Sequence, residues 1–576
     1  MAKKLMQGNE AVARGVYEAG GHVVSSYPGT PSTEITEFIS TYDEIYSEWA
    51  ANEKVALEVA CGAAMGGARA FSAMKHVGLN VAADPLFSMS YIGSNGGLVI
   101  AVADDQGMHS SQDEQDSRHY ARAAKVPMLE PTSSAECLEY TKLAFELSEK
   151  YDTPMLVRLS TRISHSHGIV ETSERKEMPL KDYNKNMQKN VTMPQMARAM
   201  HRRVEERIIK MLEYAETSGI NTVEINDTKI GVITAGVAYQ YAKEALPNAS
   251  FLKLGMTFPM PVKLIKEFAS KVDKLYVIEE LENIIELHCK ANGVDVIGKE
   301  LFPLCGEINA NMVRKLILGE SVDLYTLDVA PPVRPPVLCP SCPHRPVFYL
   351  LNKLKLTVTG DIGCYTLGAL PPLDAMDTVI CMGGAITVLH GMEKARGKDF
   401  AKKAVCVIGD STFIHSGITG LANMVYGSSV STVMILDNAI TGMTGHQHNP
   451  STGFTIKDKP APYVDLAELC KALGVKNVVV VDPFNITELE QVIKTETARE
   501  ELSVIIAKSP CALLKSRPPQ PAVTCDQAKC TGCGLCMKIG CPAISMTDKK
   551  IKVDSTICTG CKLCIQICKL DAISVY

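Results

Sequence analysis

AVCVIGDSTFIHSGITGLANMVYGSSVSTVMILDN, residues 404–438, decides the fold. AVCVI is a short unbroken apolar run, the pattern of a strand buried on both faces of a parallel sheet. It stops at Gly409-Asp410-Ser411, and an amphipathic stretch of helical length follows. STVMIL then makes a second strand, which stops at Asp437-Asn438. Two parallel strands joined by a helix deliver an Asp and an Asn to their carboxyl ends, where α/β sheets bind ligands. Hard oxygen donors beside glycines that let the backbone approach phosphate suit Mg²⁺ bridging a diphosphate. The expected fold class is α/β, built on doubly wound parallel sheets.

The flanks extend this reading. GDIG (360–363) and MGGAITVLHG (382–391), with Gly383 and Gly384, read as further glycine-rich walls of the same domain. Thr441-Gly442-Met443-Thr444-Gly445 reads as a loop closing over the phosphates, with Gly442 at its turn. Proline-rich stretches, APPVRPPVLCP (330–340) and SRPPQPA (516–522), mark semi-rigid linkers. At 576 residues the chain is too long for one core, and four segments are expected. Residues 1–190 form an α/β domain. Residues 191–325 hold a helical connection and a smaller α/β domain with strands at KIGVITAG and KLYVIEE. Residues 326–518 form the diphosphate domain, and residues 519–576 form a small cysteine-rich, ferredoxin-like double-cluster domain.

That last segment contains CTGCGLCMKIGC (530–541) and CTGCKLCIQIC (558–568). Short CxxC steps place thiolates on consecutive turns around an iron–sulfur cube, and the fourth cysteine of each run ligates the other cluster. One 4Fe–4S cluster is thus assigned to Cys530, Cys533, Cys536 and Cys568, and the other to Cys558, Cys561, Cys564 and Cys541. The first run has four residues before its last cysteine rather than three, which a local bulge absorbs. Structural zinc also uses CxxC pairs, but a double run of eight cysteines suits two cubes better. Cys525 lies outside the pattern and reads as a free thiol. The net charge of −5 and the absence of a basic block argue against nucleic acid as a partner. No apolar run suits a signal peptide or a membrane span, so the chain is expected to be cytoplasmic. With no export signal, the 20 cysteines read as metal ligands rather than disulfides.

GDS followed 28 residues after its Asp by Asn resembles the thiamine diphosphate motif. By that resemblance Asp410, Asn438 and the main-chain carbonyl of Ile440 hold Mg²⁺, and Ser411 stands where glycine is usual. Thiamine diphosphate also needs a carboxylate on its aminopyrimidine ring, which a buried Glu serves best. ANEKVALEVACGAAMGGARA (51–70) reads as an Ala- and Gly-rich helix offering Glu53 and, on a different face, Glu58. Glu53 stands fourteen residues before GAR, as in the pyrimidine-binding domain of related oxidoreductases, and is the chosen residue. YPGTPSTEI (27–35) is similar to the YPxTPSS turn of 2-oxoacid:ferredoxin oxidoreductases, in which Thr30 would reach the substrate carboxylate end. Read by itself, that stretch is a turn capping a helix through Ser32 or Thr33, with Glu34 in the first turn.

ADDQGMHSSQDEQDSR (103–118), LCPSCPHRP (338–346, with His344) and the double cysteine run complete the set. Together these motifs resemble the large (alpha) subunit of indolepyruvate ferredoxin oxidoreductases, in the family's order and across essentially the whole chain. The resemblance implies oxidative decarboxylation of arylpyruvates with coenzyme A to arylacetyl-CoA and CO₂, with electrons passed through the clusters to an external ferredoxin. It also implies a small beta subunit and a heterotetramer. A third, proximal 4Fe–4S cluster is implied at Cys339, Cys342, Cys364 and Cys511. Related enzymes place an Arg near the substrate carboxylate, where this chain has Gln112. Arg118 is close by, but reads as an exposed helix residue. A pyruvate- or other 2-oxoacid enzyme, or a non-oxidative thiamine decarboxylase, would share Asp410, Asn438 and Glu53; the last has no use for a double-cluster tail.

Overall fold

Strands that are apolar at nearly every position organise the N-terminal half. Leu98–Asp104 and Met155–Ser160 are buried along their whole length and pair in parallel, so helices must cover both faces. The computed structural model describes residues 2–321, 327–515, 517–518 and 520–575, in two units, Met1–Asp328 and Val329–Tyr576. The boundary expected at residue 325, and Ser516 and Pro519 of the second linker, lie outside the described residues.

In the first unit, a seven-stranded sheet runs in the order Met256–Phe258, Met128–Leu129, Met155–Ser160, Leu98–Asp104, Ala70–Lys75, Val23–Ser26 and Tyr46–Trp49. All neighbours are parallel except the first, which comes from the stretch read as a second domain and adds antiparallel at the edge. Helices Gly8–Glu18 and Ser134–Tyr151 bury Val12, Val16, Leu138 and Phe145 on one face. Helices Glu53–Met65 and Ala83–Ile92 bury Leu57, Ala60, Ala64 and Leu86 on the other. The long helix Pro194–Thr217 follows, anchored by buried Arg207, which donates to Ser90 O (2.8 Å) and Thr153 Oγ1 (3.0 Å). A four-stranded sheet then takes the order Lys274–Ile278, Asp227–Ala235, Ala249–Leu254 and Thr222–Glu224, with only the last strand antiparallel.

A buried ion network joins the two sheets of this unit. Arg118 pairs with Asp116 and Glu279, each at 2.6 Å, and Arg158 pairs with Asp104 (2.7 Å) and Glu130 (2.5 Å). Arg118 is 2% exposed, which corrects the expectation of a solvated helix residue. Its two carboxylate partners, with the carbonyls of Glu280 and Glu282, offset the cost of burying a guanidinium, a pattern sequence periodicity does not reveal.

The second unit carries a six-stranded, fully parallel sheet. Its order is Thr378–Val379, Thr357–Gly360, Ala404–Gly409, Thr432–Asp437, Ser503–Lys508 and Asn477–Val481. Strand order reverses between Thr357–Gly360 and Ala404–Gly409, so Asp361 and Asp410 leave adjacent carboxyl ends at the switch point, where such sheets open a crevice. The C-terminal segment adds two small antiparallel pairs, Val523–Cys525 with Ile573–Val575 and Ile544–Thr547 with Lys550–Val553. Among the described residues, no helix is long and apolar enough to cross a membrane.

Candidate diphosphate and cysteine sites

The carboxyl ends of Ala404–Gly409 and Thr432–Asp437 bring three oxygens together. The side-chain amide of Asn438 lies against the carbonyl of Ile440 at 2.7 Å and Asp410 Oδ1 at 3.3 Å, and its Nδ2 can donate to both. Turned the other way, the Asn438 amide would present its oxygen beside these two acceptors to a cation. A hard divalent ion takes this donor set of carboxylate, amide oxygen and main-chain carbonyl. Burial, and after it Asp437, push the Asp410 carboxyl up to about 7, the strain a divalent cation would relieve. The residues therefore fit Mg²⁺. Thr441 Oγ1 donates to Ser411 Oγ at 2.9 Å, tying the 441–445 loop to the turn after the first strand.

The walls are tight. Asp361 accepts from Gly383 N (2.9 Å) and Ala385 N (3.0 Å), fixing the start of helix Gly384–Arg396. Gly383 adopts φ +80°, and a Cβ there would meet Ser416 Cβ at 2.4 Å. At Gly409 a Cβ would meet the Tyr365 ring at 2.7 Å. The helix after Asp410 contains a π turn at Phe413–Gly417, a local widening that recurs at functional sites. His344 opens helix His344–Leu354 with Nε2 3.5 Å from Asn438 Nδ2, and burial lowers it to about 4, keeping the imidazole neutral.

Three sets of thiols converge in the same unit. Burial, and then Cys533, Cys568 and Cys530, push Cys536 up. Burial, and then Cys561, Cys541 and Cys558, push Cys564 up to about 12. Burial, and then Cys511 and Cys339, push Cys364 up to about 11, and Cys342 neighbours Cys364 and Cys339. All are free thiols. Desolvated thiols whose thiolate forms would repel one another gain from ligating iron, which neutralises that charge. No group of three or more His, Cys, Asp or Glu among the described residues is spaced for a single metal ion; a cube holds its thiolates further apart than one ion does. A small cavity is lined by Cys541, Cys558, Cys561 and Cys564, with Arg345 on its wall. The residues thus fit a cluster at this quartet. The Cys339 set adjoins the oxygen site: Cys511 N donates to Asn438 O at 2.9 Å, and a Cβ at Gly442 would lie 3.5 Å from Cys364 Sγ. Cys525 is a partly buried free thiol beside Cys530.

In the first unit, Asn52 caps helix Glu53–Met65 by accepting from Val55 N at 2.9 Å. Glu53 is 4% exposed, and its carboxyl rests on Gly78, where a Cβ would lie 2.7 Å from Oε1. Glu58 instead lies at the surface and pairs with Lys54. Lys75, unnoticed in the sequence, ends a wholly buried strand and is itself 8% exposed. Its stem lies 3.2 Å from a Cβ built on Gly29, and Nζ donates to Ser110 O at 2.8 Å. Ser110 Oγ in turn donates to Thr30 O at 3.2 Å. Burial lowers the Lys75 pKa, against Asp105, Glu53 and Asp113. Gln112 is exposed. A charged residue closing an apolar strand was the available signal for Lys75.

Two family models match these two regions. Pyruvate flavodoxin/ferredoxin oxidoreductase, thiamine diP-bdg, matches residues 14–225, and Thiamine pyrophosphate enzyme, C-terminal TPP binding domain, matches residues 361–507. Indolepyruvate oxidoreductase subunit IorA of Archaeoglobus fulgidus is 40% identical over 99% of this chain and 97% of its own. The chain belongs to the IorA family. IorA of Pyrococcus abyssi is likewise 40% identical, over 99% of this chain and 96% of its own. The 2-oxoglutarate synthase subunit KorA of A. fulgidus is 22% identical, and matches 53% of this chain against 97% of its own. IorA membership makes the chain a thiamine diphosphate-dependent oxidoreductase subunit.

Proposed function

We propose that this chain is the catalytic large subunit of an enzyme that oxidatively decarboxylates arylpyruvates with coenzyme A. It would yield an arylacetyl-CoA and CO₂ and pass two electrons to ferredoxin. The observation that carries this reading is the contact between the two sites of the second unit. A thiol set adjoins the oxygen triad, through Cys511 N to Asn438 O and Cys364 beside Gly442. A non-oxidative enzyme has no use for that adjacency. The arylpyruvate substrate follows the printed names of the 40%-identical relatives.

Bound thiamine diphosphate supplies an electron sink that lets CO₂ leave a 2-oxo acid. Asp410, Asn438 and the Ile440 carbonyl would hold Mg²⁺ on its diphosphate, with Gly409, Ser411, Gly442, Gly383 and Gly384 admitting the phosphates closely. Neutral His344 stays uncharged beside them. Glu53, desolvated against Gly78, would share a proton with the aminopyrimidine ring rather than lose it to water. Lys75 and Thr30, linked through Ser110, would receive the substrate carboxylate, and Lys75 takes the place of the Arg that relatives use. Cys339, Cys342, Cys364 and Cys511 would hold the first electron acceptor, and the two C-terminal quartets would carry the charge outward. The assembly is a heterotetramer with a small beta subunit, in the cytoplasm.

Anaerobic viologen reduction by the purified complex, with Mg²⁺ and thiamine diphosphate, tests this. Indolepyruvate and phenylpyruvate should reduce the dye only when coenzyme A is present, and pyruvate and 2-oxoglutarate should not. Reduction by pyruvate or 2-oxoglutarate alone would overturn the substrate, and no reduction by any acid would overturn the reaction.

A further inference from the structure

Arg345 lies between two of the thiol sets and is only 2% exposed. Its Nε donates to Cys339 O at 2.8 Å. Nη1 donates to Ile539 O at 3.1 Å and also to Gly540 O, next to Cys541. Nη2 is buried with no hydrogen-bond partner, and the side chain lines the cavity walled by Cys541, Cys558, Cys561 and Cys564. A guanidinium has five donors in a rigid fork, so a buried N–H left without an acceptor at this cavity signals an acceptor that belongs there. The cavity wall it shares carries the sulfurs of Cys541, Cys558, Cys561 and Cys564. Among the described residues its hydrogen bonds go to main-chain carbonyls and none goes to a carboxylate.

We propose that Arg345 tunes the cluster held by Cys541, Cys558, Cys561 and Cys564, donating from Nη2 to its sulfur and holding its reduction potential up. The inference rests on the cluster reading above. The cluster takes one electron, supplied by the 2-oxo acid, and becomes more negative by one charge. A fixed cation at the wall stabilises that reduced state more than the oxidised one, and N–H donation to sulfur acts in the same direction. Because its other nitrogens grip Cys339 O and Gly540 O, the same residue holds the Cys339 loop and the Cys541 loop in register. Electrons leaving the Cys339 set are thereby drawn toward the Cys541 set.

The test is a redox titration of the complete, anaerobically purified complex, followed by electron paramagnetic resonance, with Arg345→Gln and Arg345→Lys. Arg345→Gln should keep its iron while one tail cluster becomes harder to reduce. At a fixed potential its reduced-to-oxidised ratio should fall about tenfold, which is 59 mV for a one-electron couple. Arg345→Lys, which keeps the charge, should recover most of that shift. Equal potentials in Arg345→Gln and wild type, at full iron content, would overturn the role of Arg345 alone. A wild-type complex without cluster signals would overturn the cluster reading, and this inference with it. Should Arg345→Gln fail to assemble, wild-type enzyme made with ¹⁵N-arginine decides. A ¹⁵N hyperfine coupling on a reduced tail cluster is expected, and its absence overturns the proposal.

Discussion

At the scale of single residues, function follows from which polar groups are buried and what they face. Lys75 is buried at the end of a strand, near the carboxylates of Asp105, Glu53 and Asp113, and its Nζ donates to the main-chain oxygen of Ser110 beside Thr30. Lys75→Met should raise KM for the 2-oxo acid at least tenfold with a smaller change in kcat, and Lys75→Arg should recover most of it. An unchanged KM would remove Lys75 from the substrate site. The sequence made Asp410, Asn438 and Glu53 legible, because each sits in a motif whose chemistry demands that residue type. Lys75 and Arg345 were illegible because their importance lies in their surroundings. A basic residue after an apolar strand, or after CPSCPH, reads as surface until the fold closes around it. Arg118 shows the same limit, since only the folded chain brings Glu279 to it.

At the scale of elements, short apolar runs bounded by glycine located the strands Ala404–Gly409 and Thr432–Asp437, with Asp410 next after the first and Asn438 next after the second. Periodicity gave the helix bearing Glu53 but not its cap. Asn52 stands in extended backbone and satisfies an otherwise orphaned amide, so Asn52→Ala should cost about 1 kcal/mol of local helix stability. Hydrogen exchange should quicken in the first turn of Glu53–Met65 while the rest of the sheet is unaffected, and Asn52→Asp should restore protection. Uniform exchange in wild type and Asn52→Ala would show the cap to be idle. The edge strand Met256–Phe258 escaped the reading because three residues are too few to show a period, and its partner lies far away in sequence.

At the scale of the whole molecule, the buried ion network ties stability to pH. Burial raises Glu280 to about 7, against the Ile308 amide that donates to it. A carboxyl whose folded pKa exceeds its unfolded 4.5 binds its proton more tightly in the native state. Stability therefore falls as pH rises from the unfolded value through the folded one, by at most about 3 kcal/mol. Glu280→Gln removes that cost, so its apparent Tm should exceed wild type at pH 8 and match or fall below it at pH 5. A gain of equal size at both values would contradict the assignment. The wider claim is that electrons released at the diphosphate site leave through thiols of the same chain. Rapid-freeze electron paramagnetic resonance after anaerobic mixing with indolepyruvate and coenzyme A tests it most directly, comparing wild type with Asp410→Ala. Reduced-cluster signals should grow in wild type and be absent in Asp410→Ala, whose clusters dithionite still reduces. Clusters that stay oxidised in wild type while CO₂ is released would contradict the account.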